Sequence, residues 1–235
     1  MLPILAFVPG FLRTHLQHNM LRQQVAGTFD LVFLNLPGHM REQPAEQGME
    51  GLVEDLRWRV EALADGRPLV LAGESLGGLA AMHLAIKSAA AGVRSVVAFD
   101  PPLQTQKLWP VHDELSSALA KAPHHWLLMH YAEPIFGHCG SGVLVERDYR
   151  YILQNTPTVP VHIAAGTSPL MPRRATPCPP SLLDDADRAS IRAARGYELT
   201  EVDGGGHVLW DTHPGRCVQV LLQALRSAEK AESLT

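Results

Sequence analysis

The chain alternates short apolar runs with longer stretches in which apolar residues recur at helical spacing. "LPILAFV", "FDLVFLNL", "PLVLAG" and "VRSVVAFD" are dominated by Leu, Val, Ala and Phe and end at Gly, Pro or a polar residue. With little polar alternation, such runs predict strands buried on both faces. "VPVHIAAG" and "YELTEVDG" predict a fifth and a sixth strand. Between the runs the period changes. "THLQHNMLRQQVAG" reads as a helix ended by Gly27. In "MEGLVEDLRWRVEALADG", Leu52, Val53, Leu56, Val60 and Leu63 share one helical face, and Gly66 makes a C-cap. "LGGLAAMHLAIKSAAAG" reads as the helix after the third strand, and "PGRCVQVLLQALRSAEKAE" as a closing amphipathic helix. This alternation predicts a single α/β domain over residues 1–235, with a mostly parallel sheet of about six strands and helices on both faces.

The alternation stops between residues 101 and 150. This segment carries Trp109, Trp126, Tyr131 and Phe136 and two helical pieces, "VHDELSSALAKA" and "HHWLLMHYAEPIF". It is too long for a plain connection. It also leaves a strand's carboxyl end, where open α/β sheets bind ligands. The expectation is a small helical lid over a pocket, with an extra pair of core helices as the plainer alternative. "RDYRYILQN" is expected to lead as a helix into the fifth strand.

Composition narrows the classes of function. The net charge is −4 and no Lys/Arg run occurs, which argues against a nucleic-acid partner. Cys139, Cys178 and Cys217 are widely spaced and form no CxxC pair. They suit a reducing cytoplasm and suggest neither a disulfide framework nor a zinc site. "MLPILAFVPGFL" lacks a basic leader and a cleavage pattern, so it reads as a strand and not a signal peptide. No stretch approaches the roughly 18 apolar residues of a membrane span. The expected protein is soluble and cytoplasmic.

The chemistry begins at Gly73-Glu74-Ser75-Leu76-Gly77, a G-x-S-x-G pattern between an apolar strand and an Ala-rich helix. The pattern alone is short enough to arise by chance; its context gives it weight. A serine at such a turn is held in a strained backbone conformation with its hydroxyl clear of the sheet edge. The glycines let strand and helix approach closely, and the helix N-terminus favours developing negative charge.

With these residues the chain resembles the α/β-hydrolase fold superfamily, serine hydrolases with a G-x-S-x-G nucleophile elbow. "FVPGF" stands where that family has its oxyanion loop, with Pro9 in place of a frequent histidine. "LNLPGHM" resembles its D-x-P-G-H-G segment, with His39 as a structural histidine. "DGGGHVLWDTHP" resembles the catalytic-histidine loop, its glycines flexible enough to reach the elbow. The resemblance implies Ser75 as nucleophile, His207 as base, the backbone N–H groups of Phe11 and Leu76 as oxyanion hole, and no cofactor. A solvent-exposed loop histidine is the plainer reading of His207. Glu74 fills a variable elbow position and reads as a helix-start carboxylate. His124, His125, His130 and His138 cluster with Cys139, but without i,i+4 spacing or a completing carboxylate no metal is expected.

The departure concerns the acid. Gly166-Thr167-Ser168-Pro169 lacks the aspartate customary after the fifth strand. The order Ser, acid, His confines the search to residues 76–206. Asp100 ends the strand after the elbow strand, and some branches of the family place the acid there; structurally it would cap the turn before Pro101-Pro102. Asp184, Asp185 and Asp187 stand in reserve, in a segment that reads as a helix with acids in its first turns. The expected activity is cleavage of an ester, thioester or related acyl bond of a small molecule through an acyl-enzyme, in the manner of a carboxylesterase or thioesterase. An acyltransferase with the same triad is one alternative. A non-catalytic ligand-binding homologue is another, kept open by the missing aspartate.

Overall fold

A computed structural model describes residues 1–40, 48–87, 92–122, 125–139, 143–174, 176 and 178–232. The first half runs through β1 (Ile4–Val8), α1 (Asn19–Val25), β2 (Asp30–Phe33), α2 (Gly48–Leu63), β3 (Leu69–Glu74), α3 (Ser75–Lys87) and β4 (Val93–Phe99). Next come α4 (Trp109–Lys121), α5 (Trp126–Tyr131) and a small hairpin of β5 (His138–Cys139) and β6 (Val143–Leu144). The chain closes with β7 (Val161–Gly166), α6 (Asp185–Ala193), β8 (Tyr197–Val202), α7 (Leu209–Thr212) and α8 (Pro214–Glu232).

Six strands form one sheet in the order β2-β1-β3-β4-β7-β8, and every neighbouring pair is parallel. The near-continuous apolar runs have the expected physical basis, since each central strand feeds two cores. Ile4, Ala6 and Val8 face the core beneath α2 and α3, while Leu5 and Phe7 face the core beneath α1 and α8. Leu69 and Leu71 against Val70 and Ala72 repeat the division on β3. The chain moves outward from β1 to β2 and then crosses back to β3. The carboxyl ends of β1 and β3 therefore flank the point where strand order reverses, which is where such sheets form their crevice.

Local differences from the sequence pattern have identifiable causes. Residues 14–27 were expected as one helix, but they form a 3₁₀ turn at His15–Gln17 and then α1. Thr14 and Gln17 close a capping box on the first turn, and His18 leaves helical geometry as its ring turns inward to Glu74. "RDYRYILQN" forms only a 3₁₀ turn, Arg150–Gln154. In the 101–150 segment, α4 begins at Trp109, with Pro110 in its first turn, and α5 is shorter than "HHWLLMHYAEPIF" suggests. His124, one of the histidines grouped near Cys139 in the sequence, lies outside the described residues.

Candidate active site

The elbow is a strained turn made possible by glycine. Ser75 has φ 51°, left-handed and unfavourable for a residue with a Cβ. A Cβ at Gly73 would lie 2.5 Å from the Gly77 carbonyl carbon, and one at Gly77 would overlap the Val8 carbonyl oxygen. Only glycine lets β3, α3 and the end of β1 pack this closely. Gly10, the second residue after β1, is also close, since a Cβ there would stand 3.1 Å from Ser75 Cβ.

The loop after β1 is held at several points. Gly10 N–H donates to Glu74 Oε1 at 3.3 Å, and Arg13 N–H to the Gly10 carbonyl at 3.1 Å. Leu12, with φ 62°, donates its N–H to His39 Nε2 at 2.9 Å. The other His39 nitrogen faces the Pro37 carbonyl at 3.1 Å, so Nδ1 carries the proton and Nε2 accepts. Burial lowers the His39 pKa, in keeping with this neutral tautomer. Among the described residues, no hydrogen bond engages Phe11 N–H. Leu76 N–H belongs to the first turn of α3, where donors lack intrahelical acceptors.

Asp100 follows β4, whose register places Phe99 beside Glu74, so Asp100 and Ser75 occupy adjacent strand ends. Asp100 is fully buried, with φ 48°. His207 Nδ1 lies 2.7 Å from its Oδ2, which also accepts Leu182 N–H at 2.8 Å. Ser181 Oγ–H donates to Oδ1. Ser181 Oγ in turn accepts from Arg188 Nη2 at 3.1 Å and Leu183 N–H at 3.2 Å. The buried Arg188 also donates to the Gly166 carbonyl at 2.6 Å, at the end of β7 where the family's usual acid would follow. With Nδ1–H given to Asp100, the lone pair of His207 resides on Nε2. Ser181 and Arg188 carry no motif, and the sequence offered no signal for them.

The reserve acids do other work. Asp184 caps α6 by accepting Asp187 N–H at 2.9 Å, and both carboxylates pair with Lys107, at 2.7 and 2.6 Å. Asp185 lies in the first turn of that helix. The glycines before His207 also differ from expectation. A Cβ at Gly206 would overlap the Pro179 carbonyl, and His207 N–H donates to that same oxygen at 2.9 Å. These glycines allow close packing of the histidine loop; they do not lend it reach. Among the described residues, no three His, Cys, Asp or Glu side chains gather to hold a metal ion.

Glu74 is the largest correction. It ends β3 with its side chain buried, and Oε1 accepts from His18 Nε2 at 2.9 Å as well as from Gly10. Burial alone would raise its pKa. The hydrogen bond from His18 and the charge of the nearby Arg13 guanidinium bring it below the ordinary carboxylate value.

Phe11 packs against Tyr131 and Phe136 of the 101–150 segment, with ring centroids 5.1 and 5.4 Å apart. Tyr131 donates its hydroxyl hydrogen to the Pro37 carbonyl at 2.8 Å. A separate open cleft of about 690 Å³ is lined by Trp109, Pro110, Asp113, Arg173, Pro179 and Pro180, among others. It shares Pro179 with the histidine loop, but neither Ser75 nor Asp100 lines it.

A parallel sheet, a strained serine at its switch point and a histidine–aspartate pair beside it define a recognisable class. The sequence matches the profile of the Alpha/beta hydrolase family over residues 5–220, and the chain belongs to that family. No curated protein sequence matches it. Among solved structures it is similar to E-2-(acetamidomethylene)succinate hydrolase, with 18% identity, TM-score 0.70, and 96% of this chain and 92% of that chain covered. NosK from Streptomyces actuosus gives 19% identity and TM-score 0.68, covering 97% and 100%. The enol-lactonase from Burkholderia xenovorans LB400 gives 15% and 0.64, covering 96% and 92%. At these identities the likeness is one of fold. Among the described residues, no helix is long and apolar enough to cross a membrane.

Proposed function

We propose that the protein is a serine hydrolase that cleaves an ester, thioester or related acyl bond of a small molecule through an acyl-enzyme. The observation that carries this reading is the 2.7 Å hydrogen bond between His207 Nδ1 and the buried Asp100 carboxylate, on the strand end next to a serine at φ 51°. Asp100 fixes the tautomer that leaves Nε2 basic and stabilises the imidazolium once Nε2 takes the Ser75 proton. Ser75 Oγ attacks the carbonyl carbon while the N–H groups of Phe11 and Leu76 receive the oxyanion. His207 then protonates the leaving group, and water resolves the acyl-enzyme by the same route. The non-catalytic reading rested on the aspartate absent after β7, and the Asp100–His207 contact favours catalysis over it. In this reading residues 101–150 form a lid, with Tyr131 and Phe136 against Phe11 shaping the acyl side of the pocket.

The test is pre-steady-state hydrolysis of p-nitrophenyl acetate. An initial burst of nitrophenol stoichiometric with enzyme, absent in Ser75→Ala, is the expected result. A burst that survives the substitution overturns the assignment.

A further inference from the structure

The contacts around Glu74 and Arg13 play no part in the acyl-transfer steps, yet they join three segments distant in sequence. Glu74 immediately precedes the serine. Its Oε1 accepts Gly10 N–H at 3.3 Å and lies 3.1 Å from Arg13 Nε, both on the loop that presents Phe11. The opposite edge of the same guanidinium makes a two-point pair with Asp211, Nη1 to Oδ2 at 3.0 Å and Nη2 to Oδ1 at 3.2 Å. Asp211 belongs to α7, the short helix directly behind His207, and Leu209 N–H at its start donates back to the His207 carbonyl at 3.1 Å. Arg13 thus touches the elbow and the histidine loop while sitting on the loop between them.

We propose that Arg13 is a positioning residue for the reaction: clamped between Glu74 and Asp211, its guanidinium sets Phe11 N–H and His207 in register with Ser75. The inference rests on the acyl-transfer reading above. Two rival roles fit less well. As a ligand for a substrate carboxylate, Arg13 would need a free edge, but Nε, Nη1 and Nη2 are all engaged and its side chain is only 19% exposed. As a plain surface salt bridge, it would not place its inner carboxylate in the core, where the Glu74 side chain is 6% exposed. The planar fork matters, because a lysine ammonium is a point charge and cannot present one edge to each carboxylate.

Small displacements of reacting groups cost on the order of 10²-fold in rate. Arg13→Met should therefore lower kcat for p-nitrophenyl acetate, and the rate of phosphonylation by a fluorophosphonate, by about that factor while KM changes little. Arg13→Lys should recover little of the loss. Glu74 and Asp211 share no hydrogen bond or ion pair among the described residues, and Arg13 contacts both. Glu74→Gln and Asp211→Asn should each lower kcat, and the double mutant should fall well short of the product of the two effects. Arg13→Met reacting within about twofold of wild type, or Glu74 and Asp211 effects that multiply fully, overturns the proposal. If Arg13→Met does not fold, Arg13→Lys and the Glu74/Asp211 cycle decide the matter. A wild type inert to the fluorophosphonate overturns the acyl-transfer reading and this inference with it. A reactive wild type with an equally reactive Arg13 variant overturns this inference alone.

Discussion

Asp100→Asn should disable the site through the direction of one hydrogen bond, not through loss of shape. Oδ1 of Asp100 faces the Ser181 hydroxyl, and Oδ2 faces both His207 Nδ1 and Leu182 N–H. Both lone pairs of Ser181 Oγ are taken by Arg188 and Leu183, so its hydrogen is committed to the residue at position 100. An asparagine must then offer its oxygen to Ser181 and turn its NH₂ toward His207 and Leu182. Two donors would face the NH₂. Leu182 N–H loses its acceptor, at a cost of about 2 kcal/mol, or roughly 4–8 °C in Tm for a chain of this size. His207 escapes only by moving its proton to Nε2, which removes the base that Ser75 needs. A wrong tautomer in a Ser–His–Asp site lowers kcat by about 10⁴-fold. The same geometry predicts a partial rescue. In Asp100→Asn/Ser181→Ala the amide is free to turn its oxygen back to His207 and Leu182, and activity should rise about tenfold above the single mutant, the worth of one hydrogen bond of about 1.4 kcal/mol. Steady-state hydrolysis of p-nitrophenyl acetate and a thermal melt on the wild type, the single mutant and the double mutant supply the comparison. An Asp100→Asn enzyme within tenfold of wild type, or a double mutant weaker than the single, refutes this reasoning.

Other outcomes follow from groups away from Asp100. His83 donates from Nδ1 to the Leu79 carbonyl and accepts at Nε2 from the Tyr151 hydroxyl, and burial pushes its pKa down to about 4. The unfolded chain takes up this proton near the ordinary histidine value and the folded chain only near 4, so stability falls as pH drops from about 7 to about 4. The full loss from this residue is roughly 3 kcal/mol; urea unfolding across that range should show a shallower slope in His83→Gln, and an unchanged slope would contradict the assignment. Ser75→Gly should melt about 2–4 °C above Ser75→Ala, because glycine adopts φ 51° without the roughly 1 kcal/mol strain of a Cβ. Equal melting temperatures would deny that the elbow is strained. Phe136→Ala should shift the preference among acyl chain lengths as well as lower stability; a stability loss of about 3 kcal/mol with preferences unchanged would make the segment core and not lid.

Much of the fold was legible because the sheet is covered on both sides. Strands such as Ile4–Val8 must then be apolar at every position, and that signal survives in a single sequence. The hairpin of two-residue strands at His138–Cys139 and Val143–Leu144 is too short to leave a period. The break at His18 was hidden because its cause, Glu74, lies 56 residues away. Glu74 itself looked like a helix-start acid for the same reason. Near the site, Ser75 and His207 stood out through local glycine patterns. Asp100 could be separated from Asp184, Asp185 and Asp187 only in three dimensions, where Lys107 occupies two of the rivals and Ser181, Leu182 and His207 converge on Asp100. The glycines at 205 and 206 were visible, but their purpose was not, since the Pro179 carbonyl that Gly206 admits and the Gly166 backbone beside Gly205 both lie in distant segments.

The account's central claim is that Ser75 is an activated nucleophile, and covalent labelling tests it most directly. Wild-type protein incubated with a fluorophosphonate and weighed intact by mass spectrometry should gain one phosphonyl group, and peptide mapping should place it on Ser75. His207→Ala and Asp100→Asn should take it up far more slowly. A correctly folded wild type that stays unmodified, or one modified on a residue other than Ser75, would contradict the account.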